Sequence, residues 1–204
     1  EKKKKLVLQR FSQELIVAME EERIRIAKDL HDSVGQQLTL IKKKAQSENN
    51  IETSKMTQLA LEDIRHISRN LFPPILHQLG LTETIKQLIF EVEQKTTLLV
   101  YSDVDDIDSR FNKQESLNLY RFIQECVNNV IKHAEAEALT LLVKIKQRKI
   151  TVQISDNGKG FDRSEKEKYS SLGLKTLTGR IHILKGEMTI KTRPNEGTVI
   201  TAII

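Results

Sequence analysis

A histidine, an aspartate and a glutamine at positions 31, 32 and 36, inside the run EERIRIAKDLHDSVGQQLTL (21–40), are the first side chains whose types and spacing could do chemistry. An imidazole is mostly neutral near pH 7, so one ring nitrogen can offer its lone pair while a nearby carboxylate orients the ring or takes its proton. Two further sets lie downstream: Glu125, Asn128, Asn129, Lys132 and His133 on one helical run, and Asp156-Asn157-Gly158-Lys159-Gly160 after a strand-like run. Singly, each residue of the first two sets has an ordinary explanation as a solvated helix face. Asn-Gly between strands is likewise the strongest short hairpin signal. Read together, the sets suggest that one half of the chain is the substrate of the other.

The elements that must position them follow from periodicity. Ala27, Leu30, Val34, Leu38, Ile41 and Ala45 recur at steps of three and four, so one stripe of the first helix is made to be buried. Asp32 and Gln36 share a face. His31 is displaced sideways from both, open to solvent, and sequence neighbours on an α-helix do not face each other. Residues 1–46 read as one long helix, with Leu8, Phe11, Leu15, Ala18 or Met19, and Ile26 forming an interrupted coiled-coil seam. Gly35 makes it locally soft, by about 1 kcal/mol relative to alanine. A turn over 46–53 and a second helix over 52–71 follow, the latter with Met56, Leu59 or Ala60, Asp63 or Ile64, Ile67 and Leu71 on one side. Pro73 and Pro74 end it. Two such helices bury too little alone, so a homodimer forming a four-helix bundle is expected.

Beyond the prolines the grammar changes. A helix over 81–95 leads to a strand over 98–102, an acidic loop over 103–108, and a helix over 113–134 whose buried stripe is Leu117, Tyr120, Ile123, Val127, Val130 and Ala134. Strict alternation predicts strands around 140–146 and 150–155. A helix over 174–185 buries Leu174, Leu177, Ile181 and Leu184, with Gly186 as its cap, and strands over 188–192 and 198–203 finish the chain. The expected fold class is α+β: an N-terminal helical hairpin dimerising into a four-helix bundle, and a C-terminal two-layer α/β sandwich. The expected domains are 1–76 and 77–204.

Composition narrows the function. With 204 residues and 38% hydrophobic content, two small cores are affordable. The net charge is +5, but the basic residues are scattered and only nine side chains are aromatic, so direct nucleic-acid binding is not expected. The single cysteine, Cys126, lies among apolar residues and reads as core. No apolar run approaches the roughly 18 residues needed to span a bilayer, and no signal peptide is visible. The chain begins at glutamate, which leaves room for an upstream sensor or membrane segment outside it. The expected location is cytoplasmic, alone or as the cytoplasmic part of a membrane-bound sensor.

The run Ile26-Ala27-Lys28-Asp29-Leu30-His31-Asp32-Ser33-Val34-Gly35-Gln36 resembles the phosphoacceptor box of bacterial sensor histidine kinases, in the subclass with an HDxxxQ motif. Leu71-Phe72-Pro73-Pro74 and Leu79-Gly80-Leu81 continue the resemblance. Glu125-Cys126-Val127-Asn128-Asn129-Val130-Ile131-Lys132-His133 is similar to the E-x-x-x-N box of Bergerat-fold ATP-binding domains, shared by histidine kinases, gyrase-type ATPases and heat-shock chaperones. The resemblance implies ATP and Mg²⁺ as cofactors, with Asn129 holding Mg²⁺, Lys132 and His133 approaching phosphate, Asp156 accepting from the adenine amino group, and Gly158 and Gly160 admitting the base. Gly173 and Leu174 open the following helix near phosphate, and Arg180 and Thr198 fall where the family has its last nucleotide-site elements. The lid, 161–172, lacks the phenylalanine-rich box of many relatives.

The implied activity is autophosphorylation of His31, with Asp32 as base or orienter and Glu125 as a further catalytic residue. The phosphoryl group would pass to an aspartate in the receiver domain of a response regulator, usually of LuxR type, with a helix-turn-helix DNA-binding domain. Gln36 would position water to dephosphorylate that regulator. Two rival classes are a Bergerat-fold ATPase in which Glu125 activates water and His31 is incidental, and a nonenzymatic dimeric adaptor. Phosphate release without labelled protein would mark the first, and failure to bind ATP·Mg²⁺ the second.

Overall fold

The computed structural model describes residues 2–71, 75–162 and 172–204. The chain divides into two compact units: residues 17–74, and residues 75–204 together with residues 1–16. Among the described residues, no helix is long and apolar enough to cross a membrane.

In the helical unit, α1 (Lys2–Asp29) runs without a break into a π-helical segment, Leu30–Gly35, and then into α2 (Gln36–Ser47). One continuous rod was expected, and it forms. Its π segment leaves no apolar or polar spacing in a sequence. The predicted turn is shorter than 46–53, because α2 closes on a Schellman motif: Asn49 takes the left-handed conformation (φ 53°), and Asn50 N–H bonds Ala45 O at 2.8 Å. Asn50 then caps α3 (Ile51–Leu71) through Oδ1 to Thr53 N–H at 3.0 Å. The proline stop at 73 and 74 lies outside the described residues.

The predicted stripe of α3 is corrected. Among its described side chains Thr57 and Leu61 are buried, while Met56, Leu59 and Ile67 stay exposed, at 65%, 55% and 45%. On the first rod, Ala27 and Ala45 are buried and Ile41 is exposed. A single hairpin can cover one side of each helix only. Lys42 Nζ donates to Gln58 Oε1 at 2.6 Å, joining α2 to α3.

In the second unit, α4 (Ile75–Lys95) bends at Gly80, whose φ of 83° only glycine takes readily. Asp108 Oδ1 accepts the N–H of Thr82 at 2.8 Å, and so caps the helix that restarts there. The strand β1 (Leu99–Val104) takes in Asp103 and Val104, which the sequence reading assigned to a loop. Carboxylates are accommodated there because Lys144 Nζ binds both Asp103 and Asp105, and Asp105 Oδ2 also accepts Ile145 N–H at 2.8 Å. That lysine holds the Asp105 carboxyl below the usual carboxylate range.

A capping box, Asn112 with Glu115, starts α5 (Lys113–Asn129), which ends in a second π segment, Val130–Ala134. The sheet adds β2 (Ala138–Lys146) and β3 (Lys149–Asp156), then, after α6 (Leu172–Ile183), β4 (Glu187–Thr192) and β5 (Thr198–Ile203). Strand order is β1-β2-β3-β5-β4, with β1 and β2 parallel and the other pairs antiparallel. Gly186 takes part in the cap of α6 as predicted, but the left-handed position falls one residue earlier. Lys185 holds the left-handed position (φ 58°), and Gly186 follows it, its N–H bonded to Ile181 O at 2.9 Å.

The core explains the order. α5 packs against both α4 and α6, so it is buried beyond its predicted stripe: Leu119 and Phe122 are fully enclosed, as are polar Asn118 and Arg121. Each fully buried Leu, Ile or Phe contributes roughly 1.5–3 kcal/mol of transfer free energy. Cys126 is core, and burial pushes its thiol well above the ordinary range.

The bend at Gly80 yields a stability prediction. A Cβ there would sit 2.3 Å from Asp108 Oδ2. Gly80→Ala is expected to lose about 1–3 kcal/mol of unfolding free energy; Asp108→Ala, which removes the cap on Thr82 N–H, is expected to lose about 1 kcal/mol, and the double variant to lose less than the sum, because the clash goes with the carboxylate. Denaturant midpoints of the three proteins check it.

Candidate active site

His31 and Asp32 lie in the first π segment, and both are well exposed, their side chains at 76% and 52%. His31 Nδ1 is 3.1 Å from Asp32 Oδ1. Adjacent residues on an α-helix point apart, but in a π segment, where hydrogen bonds span five residues, the wider turn narrows the angle between neighbours. The pair that the rod's α-periodicity would separate is therefore in contact. Gln36, the first residue of α2, is exposed. Gly35 has ordinary helical angles (φ −62°, ψ −40°), and Thr39 Oγ1 bonds its carbonyl at 2.8 Å.

In the second unit the candidate residues gather around the end of α5. Glu125, Asn128 and Asn129 are half-buried, and Lys132 and His133, on the π segment, are exposed. Glu135 then takes the left-handed conformation (φ 52°) and its carboxylate pairs with Lys159 Nζ at 2.6 Å. Lys159 N–H bonds Ala134 O at 2.8 Å, so the Asp156–Gly160 loop is fastened to the helix end by backbone and side chain together.

β3 pairs with β2 and with β5, the last strand of the chain, so the Asp156–Gly160 loop does not join β3 to a neighbouring strand as a tight hairpin turn. Asp156 ends β3 opposite Thr198, and its carboxylate accepts the N–H groups of Gly158, at 2.9 Å, and of Thr198. Burial outweighs these bonds and raises the Asp156 carboxyl above the ordinary aspartate range. Asn157 Oδ1 accepts both Glu137 N–H (2.9 Å) and Ala138 N–H (2.8 Å). The glycines serve close packing inside the protein. A Cβ on Gly158 would lie 2.2 Å from Ala134 O, and one on Gly160, at φ 53°, 2.1 Å from Arg193 O.

Thus Asp156, Gly158, Gly160 and Thr198 come together, and Gly173 lies beside Glu125, its ideal Cβ 3.7 Å from Glu125 Oε1. Two candidates sit differently. Leu174 packs against the core, and Arg180 is 3% exposed, with NH1 bonded to Asn118 Oδ1 at 3.0 Å. Sequence reasoning missed Asn118 and Thr192, and it named Asn157 only as part of the loop motif. Thr192 Oγ1 accepts Phe161 N–H at 3.1 Å and pairs with Thr198 across the strands. Only the Thr192–Thr198 pair had a signal, two threonines at mirrored ends of neighbouring strands.

The raised Asp156 carboxyl carries a pH prediction. A folded-state pKa above the unfolded one means that this group's stabilising effect is complete below the unfolded pKa and lost as pH rises through the folded one. Asp156→Asn, neutral throughout, is expected to melt higher than wild type at about pH 7, with the gap closing toward about pH 3. Thermal melts across that range check it.

Residues 22–76 match a family described as histidine kinase, and residues 114–204 match the histidine kinase-, DNA gyrase B- and HSP90-like ATPases. A signal transduction histidine-protein kinase/phosphatase, DegS of Brevibacillus brevis, is 32% identical over 206 residues, covering 94% of this chain and 53% of its own length. The chain therefore spans about half the length of that relative. A histidine kinase domain from a blue-light-activated histidine kinase of Erythrobacter litoralis is alike in fold, with a TM-score of 0.56 at 13% identity, over 83% of this chain and 95% of that one. The nucleotide-free catalytic domain of the histidine kinase ThkA overlies with a TM-score of 0.50 at 21% identity, over 61% of this chain and 92% of its own. The chain thus joins a helical region that matches the histidine kinase family, residues 22–76, to an α/β domain that matches the histidine kinase-, gyrase- and HSP90-like ATPases, residues 114–204.

Proposed function

We propose that this chain is an ATP-dependent histidine autokinase with His31 as phosphoacceptor. The observation that carries the reading is the exposed His31–Asp32 pair on a helix of histidine kinase type, in one chain with an ATPase-type unit. With Nδ1–H directed at Asp32 Oδ1, Nε2 keeps its lone pair. Nε2 attacks the γ-phosphorus, a P–N bond forms as the bond to the bridging oxygen of ADP breaks, and Asp32 takes the Nδ1 proton. Glu125, at the helix face beside Gly173, is the further catalytic residue of the ATP-binding unit.

The ATP-binding unit suits a nucleotide. Asp156 remains a half-buried carboxylate held by backbone donors, a fitting acceptor for an exocyclic amino group. Gly173 opens α6, whose first N–H groups suit an anion. Among the described residues, no group of three or more His, Cys, Asp or Glu side chains could hold a metal ion. A divalent cation would therefore rest on Asn129 and the nucleotide's phosphates, with Lys132 and His133 nearby. When bound, Mg²⁺ neutralises the charge of the transferring phosphoryl group.

The exposed Met56, Leu59 and Ile67 support a homodimeric four-helix bundle in which a second copy covers them. Residues 1–76 form the dimerisation and phosphotransfer domain, and residues 77–204 the ATP-binding domain. Phosphoryl transfer onward goes to a response-regulator aspartate, in a LuxR-type regulator, and Gln36 positions water for the reverse dephosphorylation. The chain acts in the cytoplasm.

Incubation with γ-labelled ATP and Mg²⁺ tests the reading. Wild type is expected to take up acid-labile label and His31→Gln none; wild type that binds ATP yet stays unlabelled would overturn it. Asp32→Ala should slow labelling by about 10²–10⁴-fold, the usual contribution of a positioned base. Gln36→Ala should label normally but fail to strip phosphate from the regulator.

A further inference from the structure

Two polar side chains meet in the core between α5 and α6. Asn118 and Arg180 are 1% and 3% exposed, and Arg180 NH1 donates to Asn118 Oδ1 at 3.0 Å. Asn118 Nδ2 donates to Gln114 O, also at 3.0 Å, so the amide is pinned to its own helix with its oxygen turned toward α6. Burying a guanidinium is costly even when it is bonded, and apolar residues of similar volume would pack this position at least as stably. Something other than stability favours the pair.

A second contact shows what the pair sets. Glu125 lies seven residues after Asn118, and Gly173 lies seven residues before Arg180. Glu125 Oε1 is 3.7 Å from the Cβ position of Gly173. Seven residues are two turns, roughly 10.5 Å of rise, and return to the same helix face. The two helices therefore run in opposite directions in matched register, with a directional bond at one contact and Gly173 at the other. The buried side chains between these two contacts, among them Ile123 and Val127 of α5 and Leu177 and Ile181 of α6, are apolar. Such contacts are not directional and define register weakly. A slide or rotation of α6 would carry Gly173 and the first N–H groups of α6 away from Glu125 and from Asn129, one turn further along α5.

We propose that Asn118 and Arg180 are positioning residues for the phosphate end of the bound nucleotide: their buried bond fixes the register of α6 against α5 and so holds Gly173 opposite Glu125 and Asn129. Arg180 acts through Asn118 and does not touch the nucleotide. The adenine end, built by Asp156 and its loop, is outside the reach of this lock. The inference rests on the ATP-binding reading above.

The test uses the full chain and compares ATP·Mg²⁺ with adenosine, which reports on the adenine end alone. The double variant Asn118→Leu/Arg180→Met replaces the pair by apolar residues of similar size, and a cooperative thermal melt verifies its fold. Its affinity for ATP·Mg²⁺ is expected to fall about tenfold or more while that for adenosine stays within about threefold. Asn118→Asp with Arg180 kept retains an acceptor opposite the guanidinium but loses the donor to Gln114 O, and should lose less of the ratio than the double variant. An unchanged ratio of the two affinities, or an equal loss of both, overturns the inference. Should the double variant not melt cooperatively, Arg180→Lys, which keeps the charge but loses the fork, is judged by the same ratio. Wild type that binds neither compound overturns the ATP reading and this inference with it; wild type that binds both, beside variants of unchanged ratio, overturns this inference alone.

Discussion

The carbonyl of Ala134 is where the ATP-binding unit is fastened together. It ends the π segment of α5, accepts Lys159 N–H at 2.8 Å, and lies where any side chain on Gly158 would have to go. On its other side the same loop is wedged against the β4–β5 turn. Gly160 approaches Arg193 O, Gly197 approaches Asp156 O, and Asn195 N–H bonds Lys159 O at 2.6 Å. Backbone at such distances on both flanks leaves the loop little freedom. Asp156 can then be held half-buried although its ionisation opposes folding. Glycine at 158, 160 and 197 is thus a packing requirement before any ligand arrives.

The two units differ in what holds them. Residues 75–204 enclose a continuous apolar core from α4, α5, α6 and the sheet. The helical unit encloses few side chains, and several of its largest apolar residues face outward. Its candidate chemistry, His31 and Asp32, sits on the surface, at the one part of the described rod that departs from α-helical pairing. In both units the candidate cations and bases fall in or beside a π segment, Leu30–Gly35 and Val130–Ala134. The wider turn displaces side chains from the regular face, which brings His31 against Asp32 in one case and ends α5 against the Asp156 loop in the other.

Much of this was legible in the sequence. Alternation placed β2 and β3 because one face of each is buried, and the α5 stripe from Leu117 to Val130 is buried throughout. Leu119, Phe122 and Arg121 escaped notice because a helix flanked on both sides by helices has no wet face there to set the period. Asp103 looked like loop because its compensating lysine, Lys144, is forty-one residues away along the chain. The π segments have no spacing signature, so the contact of His31 with Asp32 contradicted the expected helical geometry. Met56 and Ile67 were assigned to a buried stripe, and in one chain that stripe splits between a covered side and an open one. The glycines of the Asp156 loop were legible as special. That they meet protein backbone was not.

The parallel pairing of β1 with β2 has a consequence for how the chain is made. β2 and β3 close over the two residues Gln147 and Arg148, and β4 and β5 over a short turn, whereas β1 reaches β2 only through the whole crossover, residues 105–137, that contains α5. Loop closure favours the short connections, so the sheet is expected to grow from its hairpins and to admit β1 and α4 afterwards. Synthesis runs the other way, from the N-terminus. The apolar side chains of Ile85 and Ile89 leave the ribosome early and must wait, uncovered, for β1 and for α5, which begins only at Lys113.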